Sequence, residues 1–341
     1  MIKVLIVDDS QVMRHILFEA LSGQPDIQVI GYARDGKEAV YLAERLRPDL
    51  ITMDLVMPEM NGVDATREIM AKYPVPILIM SSAVSKPTDQ MAFDAIAAGA
   101  LSVLFKPKAG SEFRSIRDEL LTKIRLMSQV KVVRRRSRDE KRPKTPLFLP
   151  STPNYRVRIV AIGSSTGGPA ALNTIFSNLP ARFPVPIVVV QHMTHGFLAG
   201  MVRWLSANSA SPVQMGQNGD LLRPGHIYVA PEDAHMGVTI DGKIVLDDGP
   251  PVEGAKPSIN RLFEMVASSY GPMALALLLT GMGNDGVSGL SRVKSMGGRT
   301  MAQDESTSVV FGMPQQAIQA GVVDRVLRLD DIPRALVDAL A

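Results

Sequence analysis

Short apolar runs of strand length, each ending abruptly in charged or polar residues or glycine, recur along this 341-residue chain with amphipathic stretches between them. That alternation constrains the fold more than any other feature. Runs that are apolar throughout are buried on both faces, which requires parallel strands with helices packed on either side. In the first part of the chain they fall at 3–7, 28–33, 50–53, 77–80 and 102–105, with helical stretches such as 12–22 and 36–45 between them. A second series opens at 157–162 and continues at 187–190 and 273–280. In open sheets of this kind ligands gather beyond the carboxyl ends of the strands, so chemistry is expected there.

The two series are separated by a charged stretch. Residues 131–144 hold eight Lys and Arg against Asp139 and Glu140, a local charge of +6 in a chain of net charge +3. Pro143, Pro146, Pro150 and Pro153 follow, with few apolar residues to build a core. This reads as a solvated linker, extended where proline dominates. A nucleic-acid or anionic-lipid patch would need cations fixed on one folded face or interleaved with aromatics, and only Phe148 and Tyr155 lie nearby. The expected organisation is therefore a domain over 1–126, a basic, proline-containing linker over 127–154, and a second domain over 155–341.

Composition narrows the class. A hydrophobic content of 46% excludes a mainly disordered chain. No apolar run reaches the ~18–20 residues of a bilayer-spanning helix. Asp8 and Asp9 stand where a secretory leader would be apolar. The absence of cysteine excludes a disulfide framework, a zinc–thiolate centre and a cysteine nucleophile. A cytoplasmic protein, not inserted in a membrane and without a nucleic-acid partner, is the expectation.

The strand ends of the first series carry Asp8 and Asp9, Asp54, Ser81 and Ser82, and Lys106 before Pro107. Three carboxylates on one edge repel one another unless a hard divalent cation neutralises them, and oxygen ligands suit Mg²⁺. One carboxylate can then act as nucleophile toward a phosphoryl group, with the lysine and a serine hydroxyl stabilising its oxygens. Asp8 and Asp9 alone would read better as a helix cap. Asp54, Ser81 and Lys106 at successive strand ends favour the phosphoacceptor pocket. The motifs VDDS, MDLVMPEMNG, IMSS and FKP, in that order, resemble the response-regulator receiver domain over about the first 120 residues. The resemblance implies a flavodoxin-like, five-stranded parallel sheet and phosphorylation of Asp54 by a histidine kinase. It further implies Mg²⁺ held by Asp8, Asp9, Asp54 and the Val56 carbonyl, with Ser81 and Lys106 sensing the phosphoryl group. Ser82 is the weaker switch hydroxyl, because Ser81 directly follows the apolar run. Phe105 reads equally as a rotamer switch or as core.

In the second series, GSSTGGP follows the first strand, and Gly163, Ser165 and Gly167 fit G-x-S-x-G. That pattern exposes a serine on a sharp strand-to-helix turn, with helix N–H groups aimed at the same place. A phosphate-binding glycine loop is its main rival, yet this loop carries neither Gly-Lys-Ser/Thr nor G-x-G-x-x-G. The strand at 187–190 ends in Gln191 and His192, and that at 273–280 in GMGNDG, which carries Asp285. Serine, histidine and aspartate thus meet one sheet edge, as proton transfer from serine to an aspartate-oriented imidazole requires. The order Ser–His–Asp differs from the Ser–Asp–His of α/β-hydrolases. His195, His226 and His235 are competing bases, with His235 either lining a cleft or lying on a surface loop. Asp285 alone could cap the helix running through Met296. Residues 225–246, with the turn pairs Asp241–Gly242 and Asp248–Gly249, read as an inserted antiparallel hairpin.

A receiver, a linker and then GSSTGGPAAL, VQHM, VAPEDAH and LLLTGMGNDG resemble the chemotaxis protein-glutamate methylesterase family, CheB, over essentially the whole chain. The resemblance implies a Rossmann-like, doubly wound catalytic domain that needs no cofactor. Ser165 would be its nucleophile, His192 its base and Asp285 the orienting acid, with the Met282 amide as oxyanion donor and polar support near Thr166. Ser164 stands where the family often has alanine, Thr194 where it often has proline, and Asn284 beside the aspartate where alanine is common. The implied reaction is hydrolysis of glutamate methyl esters on methyl-accepting chemoreceptors, with deamidation of glutamines as a second activity. The two-domain layout suggests that the unphosphorylated receiver covers the cleft and that phosphorylation opens it. The rivals are a non-catalytic response regulator whose glycine loops bind a partner or nucleotide, and a methylesterase serving receptors outside chemotaxis.

Overall fold

The computed structural model describes residues 1–81, 86–106, 113–130, 132 and 156–340, which belong to two compact units, Met1–Lys144 and Thr145–Ala341. The basic side chains of residues 131–144, Ser82 and Pro107 lie outside the described residues.

The first unit alternates β1 (Ile2–Val7), α1 (Gln11–Leu21), β2 (Ile27–Ala33), α2 (Gly36–Leu46), β3 (Leu50–Asp54), α3 (Gly62–Lys72), β4 (Ile77–Ser81), α4 (Lys86–Ala98), β5 (Ser102–Phe105) and α5 (Phe113–Met127). The five strands run parallel in the order β2-β1-β3-β4-β5. Residues 4–7, 50–54 and 77–81 of the interior strands are buried, as a sheet covered on both faces demands. The helices start where a short polar side chain can satisfy a free N–H. Ser10, Asp35 and Asn61 accept from the N–H groups of Met13, Glu38 and Asp64, caps worth ~1 kcal/mol each.

The second unit contains β6 (Ile159–Ser164), α6 (Gly168–Phe176), β7 (Ile187–Gln191), α7 (Leu198–Asn208), β8 (Val213–Met215), β9 (Ile227–Val229), β10 (His235–Val238), β11 (Ile244–Asp247) and α8 (Ile259–Tyr270). It continues with β12 (Ala274–Leu278), α9 (Val287–Ser295), β13 (Arg299–Gln303), α10 (Met313–Gln319), β14 (Arg325–Leu327) and α11 (Ile332–Asp338). Seven of its strands form a parallel sheet in the order β14-β13-β12-β6-β7-β9-β8. The chain winds outward from β6 through β7 to one side, then returns to β12 on the other. The crevice beside β6 is therefore the switch point, where open α/β sheets bind ligands.

The hairpin expected over 225–246 is only partly antiparallel. β9 joins the main parallel sheet between β7 and β8, and only β10 and β11 pair antiparallel, across the turn at Asp241–Gly242. Every residue of β9 is buried, and a hairpin standing off the sheet could not have covered both of its faces. Beneath the crevice, Ile259, Leu262 and Phe263 of α8 share one apolar core with Leu278 of β12 and Leu290 of α9. That core fixes where the loops after β6, β7 and β12 emerge.

Candidate phosphoacceptor pocket and active site

In the first unit, Asp8 and Asp9 follow β1, Asp54 and Ser81 end β3 and β4, and Lys106 follows β5. One oxygen from each of Asp8, Asp9 and Asp54 lies within 4.8 Å of the others. Lys106 Nζ sits 2.6 Å from Asp8 Oδ2 and 2.8 Å from Asp54 Oδ2. Asp8, Asp54, Ser81 and Lys106 are buried and Asp9 is exposed, so the cluster opens to solvent on one side. Arg14, one turn into α1, donates to the carbonyls of Asp8 (2.7 Å) and Asp9 (3.0 Å) and holds that corner. Burial raises the Asp54 carboxyl above the ordinary range; Lys106 opposes this, while Asp8 adds to it. For Lys106 burial acts downward, and the two carboxylates outweigh it and hold the ammonium above its usual range. A donor set made only of carboxylate oxygens, one facing solvent, fits a hard divalent cation such as Mg²⁺. Val56 is an exposed residue just past Asp54, and Phe105 is half-buried beside Lys106.

In the second unit, β6 and β7 pair Gly163 with Val190 and Ser164 with Gln191, and His192 N–H donates to the Ser164 carbonyl at 2.9 Å. Ser165 and His192 thus leave adjoining strand ends. The Ser165 N–H donates to the Thr280 carbonyl (3.0 Å), which ties the serine turn to the end of β12 as well. Gly167, at φ +80°, ends the turn and begins α6. A side chain on Gly281 would meet Ser165 Cβ at 2.7 Å, so the loop after β12 rests directly against the serine. The next residue, Met282, has an exposed side chain, and its N–H meets no acceptor among the described residues. Thr166 contributes its carbonyl, which accepts from Thr280 Oγ1 at 2.9 Å.

Gln191, which sequence reasoning passed over, is the bolt of this corner. It is buried, and its Nε2 donates to the carbonyls of both Ser165 (2.8 Å) and His192 (2.6 Å). Its Oε1 accepts from Ser164 Oγ at 2.6 Å. A polar residue closing an apolar strand beside a candidate base was the available signal.

Asp285 is anchored on three sides. Its Oδ2 lies 2.9 Å from His192 Nε2, a contact at ion-pair distance without hydrogen-bond alignment. The same oxygen accepts from Ile259 N–H (2.8 Å), and Oδ1 accepts from Asn260 N–H (2.8 Å) and Ser258 Oγ (2.9 Å). Asp285 therefore sits on the N-terminus of α8, and Gly286 occupies the cap position of α9 that the sequence offered to Asp285. Burial works to raise this carboxyl, but His192 and the N–H groups of Asn260 and Ile259 prevail and hold it below the ordinary range. Ser165 is half-buried and its Oγ makes no hydrogen bond among the described residues, so the serine–imidazole bond is not formed at rest. Such bonds are often long in free enzymes and close in the substrate complex.

The competing histidines are used otherwise. His195 is exposed and pairs with Glu232 (3.6 Å) and Asp233 (3.4 Å). His226 stacks on Tyr228. His235 lies neither in the cleft nor on a surface loop; it is buried in β10.

Residues 160–336 match the family described as CheB methylesterase, and residues 4–117 that described as response regulator receiver domain. The chain belongs to the CheB methylesterase family. A Syntrophus aciditrophicus CheB relative, named protein-glutamate methylesterase/protein-glutamine glutaminase 1, is 45% identical, with 99% of this chain and 98% of that protein aligned. The relative of that name without a numeral from Thermotoga maritima is 39% identical over 99% of this chain and 98% of its own length. The crystal structure of the Thermotoga maritima CheB methylesterase catalytic domain is similar at a TM-score of 0.52 and 41% identity, covering 53% of this chain and 98% of that one. No described helix of this CheB-family chain is long and apolar enough to cross a membrane.

Proposed function

We propose that this chain is a phosphorylation-activated protein-glutamate methylesterase, with glutamine deamidation as its second activity, acting on methyl-accepting chemoreceptors. The observation that carries the reading is the His192–Asp285 contact beside a serine on the adjoining strand end. In the proposed reaction Ser165 Oγ attacks the side-chain ester carbonyl of a methylated glutamate while His192 takes the hydroxyl proton. With Nε2 turned to Asp285, Nδ1 is the nitrogen left for the serine. The carbonyl oxygen becomes an oxyanion facing the free Met282 N–H, a kind of donor whose loss typically costs ~2.7–4 kcal/mol of barrier. His192 returns the proton to the departing methoxide, methanol leaves, and Ser165 remains acylated. A water deprotonated by His192 then releases the glutamate and restores the serine. A primary amide follows the same path with ammonia as the leaving group.

In the receiver, Asp54 accepts the phosphoryl group from a histidine kinase, while Ser81 and Lys106 bind its oxygens. Asp8, Asp9, Asp54 and the Val56 carbonyl would hold Mg²⁺, which when bound neutralises charge on the incoming phosphoryl group. Residues 1–126, 127–154 and 155–341 are proposed as receiver, linker and catalytic domain, consistent with α5 ending at Met127 and β6 beginning at Ile159. The test is methanol release from methylated chemoreceptor by the intact chain and by Ser165→Ala. Release by the wild type and a fall of about 10⁶-fold in the variant support the hydrolase; equal release by both removes it.

A further inference from the structure

The His192–Asp285 contact is backed by a second layer of residues, buried and remote from solvent. Ser258 is the N-cap of α8, its Oγ accepting from Arg261 N–H at 3.3 Å. The same hydroxyl donates to Asp285 Oδ1 at 2.9 Å. An N-cap needs only the oxygen lone pairs, so donation to Asp285 is a separate use of the hydroxyl proton. Behind it, His235 Nδ1 lies 3.1 Å from Ser258 N and His235 Nε2 lies 3.0 Å from the Pro250 carbonyl. A peptide N–H can only donate and a carbonyl can only accept. These partners therefore fix the imidazole as the neutral tautomer, bare at Nδ1 and protonated at Nε2. Ser258 and His235 are both almost fully buried, so neither contact is exchanged with water.

We infer that Ser258 is a positioning residue that tunes the catalytic base through Asp285, and that His235 is the neutral latch that holds Ser258 in place. This rests on the hydrolase reading. The hydroxyl bond draws charge from the Asp285 carboxylate. Without it, the carboxylate holds the neighbouring imidazole in its charged form to higher pH, where that imidazole is idle as a base. The other titratable groups sharing the cleft with His192 are His195, Glu232, Asp233 and Lys256. Across the β10–β11 pairing His235 faces Asp247, itself paired with Arg261 of α8 at 3.2 Å, and Glu264 lies one turn further along that helix. All of these are unchanged in the variants below.

The experiment follows covalent labelling of Ser165 by diisopropyl fluorophosphate against pH, using the intact chain. The Oγ–P bond forms, fluoride leaves and His192 takes the proton, so no receptor substrate is involved. In Ser258→Ala the acid limb of labelling is expected to move up by about half a pH unit and the plateau rate to fall about tenfold. His235→Gln, which can reach Pro250 but not accept from Ser258, should do the same. His235→Asn, which keeps an acceptor at the Nδ1 position, should stay within about twofold of wild type. If Ser258→Ala does not fold, Ser258→Gly keeps a tolerated cap without the hydroxyl and takes its place. Nitrogen-15 shifts of His235 should show Nδ1 bare and Nε2 protonated. Folded Ser258 and His235→Gln variants that label with the wild-type profile overturn the inference, as does a protonated Nδ1. A wild type that is not labelled at all, or is labelled equally as Ser165→Ala, sinks the hydrolase reading instead.

Discussion

Asp54 and Asp285 occupy comparable places, each a buried carboxylate at the carboxyl edge of a parallel sheet, yet their surroundings act in opposite senses. Asp54 shares its pocket with the Asp8 and Asp9 carboxylates and the Lys106 ammonium, and its carboxyl is pushed above the ordinary range. Among the described residues, the contacts of Asp285 include no acidic neighbour. It receives two helix N–H groups, a hydroxyl and an imidazole, and is held below that range. Position in the fold brings a carboxylate to the working edge, and the donors around it decide its task. The first anion is kept buried and crowded by like charge, suited to a cation and a covalent phosphoryl group. The second is kept as a permanent anion, suited to orienting an imidazole.

The contrast can be broken most forcefully at Asp285. Asp285→Asn should lower kcat for methanol release by about 10⁴-fold, because the amide favours the wrong imidazole tautomer. A loss below tenfold would mean that the carboxylate is a structural cap of α8 and no more. Next in size is Gly281→Ala, whose added methyl would lie 2.7 Å from Ser165 Cβ. Displacing Ser165 on that scale should cost about 10²-fold in kcat, alongside a stability loss of about 1–3 kcal/mol from overpacking. On the receiver side, Asp54→Asn should reduce the ratio of activities with and without acetyl phosphate to about one. Retained stimulation would place phosphorylation elsewhere.

The opposite tuning also has a signature in stability against pH. Asp285, lowered on folding, stabilises the fold above its unfolded value of about 4 and loses that contribution as pH falls through the lower folded value. Wild type should exceed Asp285→Asn at neutral pH, with the gap closing only below about pH 4. Asp54, raised on folding, carries a penalty at neutral pH that fades as pH falls through its higher folded value. Asp54→Asn should therefore be the more stable form at neutral pH, and its advantage should shrink as pH descends toward about 4. Urea unfolding of the three proteins from pH 7 to 3 checks both slopes, and parallel curves would abolish the contrast. The smallest expected effect is at Ser164. Ser164→Ala leaves Gln191 Oε1 without its donor and should cost ~1–3 kcal/mol of stability while kcat changes by no more than a few-fold.

Most of the fold was legible because interior strands of a covered sheet must be apolar along their whole length. The runs at 50–53 and 77–80 fall inside β3 and β4. The stretch at 225–246 was legible only in its second half, where β10 and β11 pair antiparallel. Turn chemistry at Asp241–Gly242 was visible, whereas the three-residue strand β9 finds its parallel partners in β8 and in β7, the latter some 40 positions earlier (Ile187 against Ile227). Candidate residues were legible where polar groups interrupt apolar runs, as at Asp8, Asp54, Ser165, His192 and Asp285. Their supports were not. Ser258 and Asn260 reach Asp285 across 27 and 25 positions, and a serine before a helix reads as a cap whatever its hydroxyl proton does. His235 read as a cleft-lining or a surface-loop histidine, and only its burial in β10 shows that it is neither.

By itself the sequence determined which groups stand at the strand ends, because a side-chain pattern of period and polarity is local and survives without coordinates. Only the tertiary structure decided which oxygen meets which N–H: that Asp285 lies on α8 rather than α9, and that one Gln191 amide holds both Ser165 and His192. Those pairings depend on strand order and helix placement, which are set by the packing of the whole apolar core rather than by any neighbouring residues.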